Sequence, residues 1–188
     1  MITYTLTKTE ADLKGIDALQ KANLKINLSE QEIINDGFVT VNHDWETLKK
    51  LNSIESHVIA KDDEQIVGYV LAMTKQSKYD IPIIFPMFEE FDMIIYHGKL
   101  VSEYNYMVVG QVCVQKDYRG SGIFANCYDF YKKTFENRYD LCITEIAVTN
   151  QRSRTAHKKI GFKEIHIYKD STQIQWVIVV WNWKSIKT

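Results

Sequence analysis

Residues 112–124 read Val-Cys-Val-Gln-Lys-Asp-Tyr-Arg-Gly-Ser-Gly-Ile-Phe, and they lead from an apolar strand into an amphipathic helix. Gly120 and Gly122 let the backbone turn tightly and leave its N–H groups unobstructed by side chains. The first turn of the helix adds unpaired N–H donors and the positive end of a helix dipole. This stretch therefore predicts a binding site for a phosphate or diphosphate group.

The patterns around this turn predict a parallel pair of strands. Tyr106–Val114 has the composition of a buried strand, residues 122–137 have an amphipathic helical pattern, and Leu141–Val148 is a second apolar strand. A strand, a crossover helix and another strand imply parallel pairing. A short helix over Asn150–Ile160 follows, and Gly161 in the C′ position ends it.

The rest of the chain predicts antiparallel strands and further helices. Thr9, Ser29 and Asp44 are expected helix caps, and the runs 57–61 and 65–73 are expected to form a hairpin. Residues 162–168 and 175–183 predict a final antiparallel pair. Residues 76–104, with Pro82 and Pro86, give no regular pattern beyond a tight turn at His97-Gly98. The predicted class is α/β (α+β), with a mixed, mostly antiparallel sheet, a central parallel strand pair and helices on both faces.

Length, composition and charge limit the function further. The chain has 188 residues, 45% of them hydrophobic, and a net charge of −1. We therefore expect a single domain over residues 1–188 that recruits neither nucleic acid nor a membrane surface. Residues 1–6 do not show a basic stretch followed by an apolar run, and Cys113, Cys127 and Cys142 have no metal-binding spacing. We therefore expect no secretion, buried free thiols, no metal and a cytoplasmic location.

Three phosphate-binding designs compete for the glycine-rich turn. A Walker A loop needs a Gly-Lys-Ser/Thr end, which is missing. Gly120, Gly122 and Ala125 fit the dinucleotide fingerprint, but Gln115–Arg119 separates the strand from the first glycine. The strand after the helix also ends at Thr149-Asn150 without an acidic residue for a ribose. The dinucleotide design is thus disfavoured.

The third design fits the turn best. Arg119–Phe124, Arg-Gly-Ser-Gly-Ile-Phe, resembles motif A of the GNAT superfamily of N-acetyltransferases, Gln/Arg-x-x-Gly-x-Gly/Ala. Arg119 takes the first position and Gly122 the central glycine, whereas Phe124 departs from the usual small last residue. A backbone N–H at this position is retained whatever the side chain.

A second motif of the same family follows downstream. Residues 150–162 resemble motif B, in which Asn ends a strand, a small residue and a Tyr follow, and Gly-Phe closes the segment. Asn150, Ser153 and Gly161-Phe162 match, while His157 replaces the common tyrosine. The resemblance is strongest over residues 106–168 and implies the GNAT-type acyl-CoA N-acyltransferase fold.

This resemblance implies acetyl-CoA as the co-substrate. Backbone groups of the central strand would bind the pantetheine arm, N–H groups of the turn would bind the pyrophosphate, and two motif B residues would reach the pantetheine. The implied coenzyme-binding residues are Val112, Cys113, Val114, Arg119, Gly120, Ser121, Gly122, Ile123, Phe124, Asn150 and Ser153.

Two side chains are candidate catalytic groups. The resemblance gives His157 the position of a tyrosine thought to protonate the departing thiolate; alternatively this histidine only packs beside the coenzyme. Glu145 interrupts the apolar strand 141–148, where a carboxylate is costly unless it is paired or faces a cleft. We consider Glu145 as the general base, with Glu103, Tyr106 or a bound water as the other candidates. Alternatively, Glu145 is a salt-bridged sheet residue.

The acceptor is expected to be a small-molecule or peptide amine. In this architecture, residues 16–45 and 75–106 would form the walls of the acceptor site. The aromatic residues of the second segment either line that site or belong to the core or to a dimer interface. The strand-rich, tryptophan-bearing C-terminus makes a homodimer reasonable. A catalytically silent acyl-CoA-binding module and a partner-binding domain without ligand are the alternative functions.

Overall fold

A computed structural model describes residues 1–81 and 84–184 of the chain, without the side chain of Asp80. The strands are β1 (Ile2–Leu6), β2 (Val58–Asp62), β3 (Gln65–Met73), β4 (Ile95–Tyr96), β5 (Lys99–Leu100), β6 (Tyr106–Val114), β7 (Leu141–Ala147), β8 (Lys163–Lys169) and β9 (Gln175–Asn182). The helices are α1 (Glu10–Ala22), α2 (Glu30–Asp36), α3 (Trp45–Ile54), α4 (Ser77–Asp80), α5 (Phe85–Met93), α6 (Ile123–Phe135) and α7 (Gln151–Ile160).

Seven strands form one mixed sheet in the order β1-β2-β3-β6-β7-β9-β8, and β4 and β5 form a separate hairpin. Within the large sheet, β6 and β7 are parallel, and the other neighbouring strands are antiparallel. The predicted fold class, parallel pair and final antiparallel pair are therefore confirmed. The sequence did not indicate that β9 lies between β7 and β8.

The sheet is covered by helices on both faces because successive side chains of a strand point to opposite sides. On β6, Met107 and Val109 pack with α6, whereas Tyr106 and Val108 pack with α5. A third buried cluster joins α1 and α3 to β2 and β3. The hydroxyl of Tyr131 on α6 donates to the backbone oxygen of Val108 at 2.9 Å and helps hold α6 against the sheet.

Capping residues begin the N-terminal helices where the sequence predicts. The Thr9 hydroxyl accepts from the N–H of Asp12, and the Asp12 carboxylate accepts from the N–H of Thr9, so the capping box of α1 is complete. Ser29 and Glu32 make the same exchange at α2. Each cap satisfies N–H groups that the helix leaves without intrahelical partners.

The segment without a regular sequence pattern contains α4, α5 and the β4–β5 hairpin. His97 and Gly98 form its turn with φ angles of 47° and 81°, as predicted. Pro86 lies in the first turn of α5, where proline is tolerated, and Pro82 lies outside the described residues. No helix in the described part of the chain has the length and apolar character needed to cross a bilayer.

Candidate active site

The site forms where β6 and β7 separate. The two strands pair only from Tyr106–Val108 to Leu141–Ile143, although both continue beyond these residues. Past the last pair, the hydroxyl of Thr144 donates to the backbone oxygen of Val109 at 2.7 Å. Beyond this contact, β6 and β7 border a small inner cavity, and the end of β6 borders a larger groove.

The groove has a volume of about 730 Å³. Residues 34–39, the end of β6 from Val112 to Val114, the glycine-rich turn and α7 line it. All of the predicted coenzyme-binding residues except Ser121 are among its lining residues. Arg152 and Lys159 belong to the same lining and supply positive charge along α7, although Nη1 of Arg152 also donates to the backbone oxygen of Asn35 at 2.8 Å. A ligand with phosphate groups suits this combination of backbone donors and cations.

Glycine conformation shapes the turn at the groove. Gly120 and Gly122 have φ angles of 82° and 89°, in the left-handed region that other residues rarely adopt. No atom lies within 4 Å of the position that a Cβ at Gly120 would take. No side chain caps the N-terminus of α6. The first N–H groups of α6 therefore remain available for an anion.

Arg119 holds the turn against the rest of the protein. Its Nε donates to the backbone oxygen of Val114 at 3.1 Å, Nη2 donates to Oδ1 of Asn23 at 2.5 Å, and Nη1 lies 3.4 Å from a carboxylate oxygen of Asp36. The guanidinium is thus engaged by protein groups. The contribution of the turn to a ligand would come from its backbone N–H groups rather than from this side chain.

Asn150 connects α7 to the segment that faces it across the groove. Its Oδ1 accepts from the N–H of Ser153 at 3.2 Å and caps α7. Its Nδ2 donates to the backbone oxygen of Phe38 at 3.1 Å. Both hydrogen-bonding ends of this buried amide are therefore used to build the site.

The inner cavity has a volume of about 150 Å³ and adjoins the groove. The two spaces share the lining residues Phe38, Val39, Val112, Asn150 and Ser153. Glu145 and His157 both line the inner cavity. The structure therefore brings the two candidate catalytic side chains to one space, which shares five lining residues with the groove.

The carboxylate of Glu145 has the properties of a base near neutral pH. Burial raises the pKa of Glu145 to about 7, and the nearby charges of Asp170 and Glu90 act in the same direction. The hydroxyl of Tyr168 donates a hydrogen bond to the carboxylate, which lowers the pKa and limits the rise. A substantial fraction of Glu145 can therefore exchange a proton at physiological pH.

His157 is buried and engaged at both ring nitrogens. Nδ1 lies 2.8 Å from the backbone oxygen of Ser153, and Nε2 lies 2.6 Å from the hydroxyl of Tyr128. Because a carbonyl oxygen only accepts, we assign the proton to Nδ1, so that Nε2 accepts from Tyr128. Burial lowers the pKa of His157 to about 4, and the ring is neutral at pH 7. This geometry weighs against an acid role and favours a packing and positioning role.

Residues 34–43, here called the strap, line both spaces. The sequence placed residues 16–45 in the acceptor wall but singled out no residue of the strap. The aromatics of residues 75–106 pack mainly in the core: Phe88, Phe91 and Tyr106 are fully buried against the other face of the sheet. Of the described residues in this segment, Ile84 and Met87 line the inner cavity.

Comparisons with known proteins agree with this architecture. The model of the acetyltransferase (GNAT) family matches residues 24–162. No curated protein matches the chain in sequence. Because the family match covers well over half of the chain, it identifies the family independently of structural likeness.

Solved structures share the fold at low sequence identity. An N-acetyltransferase from Staphylococcus aureus Mu50 is 11% identical with a TM-score of 0.65, and the match covers 97% of this chain and 98% of the other. Arabidopsis thaliana NAA60 in complex with acetyl-CoA is 12% identical with a TM-score of 0.64, over 97% and 99% of the two chains.

The ribosomal-protein-S18-alanine N-acetyltransferase from Escherichia coli is 11% identical with a TM-score of 0.59, over 99% of this chain and 96% of the other. At these identities the likeness shows the fold alone. The fold, the glycine-rich turn and the family match lead to one conclusion: this chain belongs to the GNAT family of acetyltransferases.

Proposed function

We propose that the protein transfers the acetyl group of acetyl-CoA to a primary amine of a small molecule or peptide. The observation that best supports this proposal is that the groove and the inner cavity meet the same residues, Val112, Asn150 and Ser153. A thioester that enters from the groove would reach these residues, where it would meet an amine held in the inner cavity beside Glu145.

The residues of the groove fit coenzyme A. The N–H groups between Arg119 and Phe124 would hold the pyrophosphate, and Gly120 leaves open space for its approach. Arg152 and Lys159 would favour the remaining phosphate charge. Backbone groups from Val112 to Val114 would bind the pantetheine arm as an added strand would, and their N–H groups would polarise the thioester carbonyl.

The reaction is a direct attack. The amine nitrogen bonds to the carbonyl carbon of the thioester, the carbon–sulfur bond breaks, and the thiolate leaves with the electron pair. Glu145 takes the proton that the amine must lose, since burial holds the pKa of this carboxylate near 7. The thiolate takes a proton from water. We assign His157 a positioning role, in which its ring holds α7 against Tyr128 of α6.

The acceptor side supports a cationic or neutral amine with a small reacting end. The inner cavity of about 150 Å³ admits a group of roughly the size of benzene. Glu90 and Asp170 add negative charge near Glu145 and would attract an ammonium group before it loses its proton. The E. coli neighbour acts on the alanine of a ribosomal protein, and a peptide α-amine is one acceptor of the proposed class. Buried free thiols at Cys113, Cys127 and Cys142 suit a cytoplasmic enzyme.

A thiol-release assay with acetyl-CoA and a panel of amines tests the proposed function. We expect primary amines with a small reacting end to release coenzyme A at rates well above those of alcohols and carboxylates. Acetyl-CoA binding without thiol release across the panel would instead identify a silent acyl-CoA-binding module. Absence of acetyl-CoA binding would contradict both functions.

The base assignment predicts a specific dependence on pH. The rate should rise with pH through about 7, because Glu145 accepts a proton only after losing its own. Glu145→Gln should abolish this limb and lower kcat by roughly 10²- to 10⁴-fold. Tyr168→Phe removes the hydrogen bond that lowers the pKa of Glu145, so the limb should move to higher pH.

Tyr104→Phe is the matched control for this profile, since the Tyr104 hydroxyl donates to the backbone oxygen of Tyr96 at 2.8 Å and does not contact Glu145. Its profile should coincide with that of the wild type. An unchanged limb in Glu145→Gln would eliminate Glu145 as the base.

The positioning role of His157 predicts a modest effect of His157→Gln. Glutamine can keep a hydrogen bond to Ser153 or Tyr128 but not both, so the melting temperature should fall while kcat changes by less than about tenfold. The exposed His166 provides the control His166→Gln. A loss of kcat of roughly 100-fold or more, with the acetyl-CoA KM unchanged, would restore the acid role.

A further inference from the structure

His43 lies on the strap and is buried beside the inner cavity. The proposed reaction gives this residue no role. It is 3% exposed and lines this cavity together with Glu145. Neither ring nitrogen has a hydrogen-bond partner among the described residues. Both nitrogens are closed to solvent in this conformation, and leaving them unpaired is unfavourable, so a group in the cavity that pairs with one of them as the ring turns would be bound more tightly.

The backbone of His43 is fixed from α1. The side chain of the fully buried Gln20 donates from Nε2 to the backbone oxygen of His43 at 2.8 Å and accepts at Oε1 from its N–H at 3.0 Å. Gln20 Nε2 also lies 2.9 Å from Oδ1 of Asn42. The backbone at this position is therefore held in place, while the ring keeps both nitrogens unpaired.

The other buried or half-buried polar side chains of the cavity already have partners. Gln111 donates to the backbone oxygen of Val41 at 2.7 Å and accepts from the hydroxyl of Tyr69. Thr144 donates to Val109. The side chains of Asn150 and His157 already use both their donor and their acceptor atoms, as described above. Among these lining side chains, His43 retains its full hydrogen-bonding capacity.

The state of the ring decides which groups it can recognise. Burial lowers the pKa of His43 to about 4, so the ring is neutral at pH 7 and offers one N–H donor and one acceptor. A neutral imidazole does not repel an ammonium group, and it pairs with uncharged polar groups such as an amide. The size of the cavity requires such a group to lie within a few bonds of the amine.

We propose that His43 is a specificity-determining residue that hydrogen-bonds an amide adjoining the acceptor's amine, so that the protein prefers α-amino amides, including peptide N-termini, over simple alkylamines. This inference rests on the proposed acetyl transfer, which it deepens by naming the acceptor. It assigns the proton transfer to Glu145 and the recognition of the neighbouring group to His43.

Alaninamide and ethylamine form the probe pair, because ethylamine is alaninamide without its carboxamide. In the thiol-release assay, kcat/KM of the wild type for alaninamide should exceed that for ethylamine. His43→Leu should reduce this ratio by about tenfold or more, mainly through KM, with ethylamine changed less than about twofold. His43→Gln, which keeps a donor and an acceptor, should retain part of the ratio, and His166→Leu should leave it unchanged.

Binding is measured separately from turnover by histidine ring NMR of the wild-type protein saturated with coenzyme A. Alaninamide should shift the His43 ring resonances and leave those of His166 in place, whereas ethylamine at the same concentration should not shift them in the same way. Thiol release with equal preference in wild type and His43→Leu would overturn the role of His43 and leave the proposed function intact. A His43 ring that does not respond to alaninamide would overturn it regardless of activity.

Discussion

The short parallel contact between β6 and β7 is the constraint on which the site depends. The strands pair over three residues and then separate, although the flanking strands stay bonded to them: β3 to β6 and β9 to β7. The sheet therefore separates only between β6 and β7, while the strands on either side of this pair stay hydrogen-bonded. The opening exposes the end of β6 to the groove and Glu145 of β7 to the inner cavity, so that one defect in strand pairing creates both halves of the site.

The strap makes the two halves interdependent. It is anchored by Asn150 to α7, by Gln111 to β6 and by Gln20 to α1, at Phe38, Val41 and His43 respectively. The same short segment thus forms a wall of the groove and a wall of the inner cavity. Because its anchors come from three different elements, a ligand on one side acts on a surface that also shapes the other side.

The parts of the site that depend on local geometry could be predicted from the sequence. Gly120 and Gly122 were recognisable because a strand-to-helix turn of this kind needs left-handed backbone, and Glu145 because a carboxylate is costly in an apolar strand. The protonation state of His157 was not predictable, because it depends on burial by aromatic rings of α6 and of the segment that precedes β8. His43 carries no periodic or motif signal, and its importance follows only from the unpaired nitrogens that the fold creates.

Calorimetric titration of acetyl-CoA into the wild type and a pair of matched glycine variants tests whether the glycine-rich turn binds the coenzyme. Gly120 and Gly98 have φ angles of 82° and 81°, and neither has an atom within 4 Å of a Cβ position, so alanine should cost each about 1–2 kcal/mol of backbone strain. Of these two glycines, only Gly120 lines the groove. We expect a wild-type Kd on the order of micromolar to millimolar, at least a tenfold weaker Kd in Gly120→Ala and an unchanged Kd in Gly98→Ala. No heat from the wild type at millimolar acetyl-CoA, or equal affinity in all three proteins, would contradict coenzyme binding by this turn.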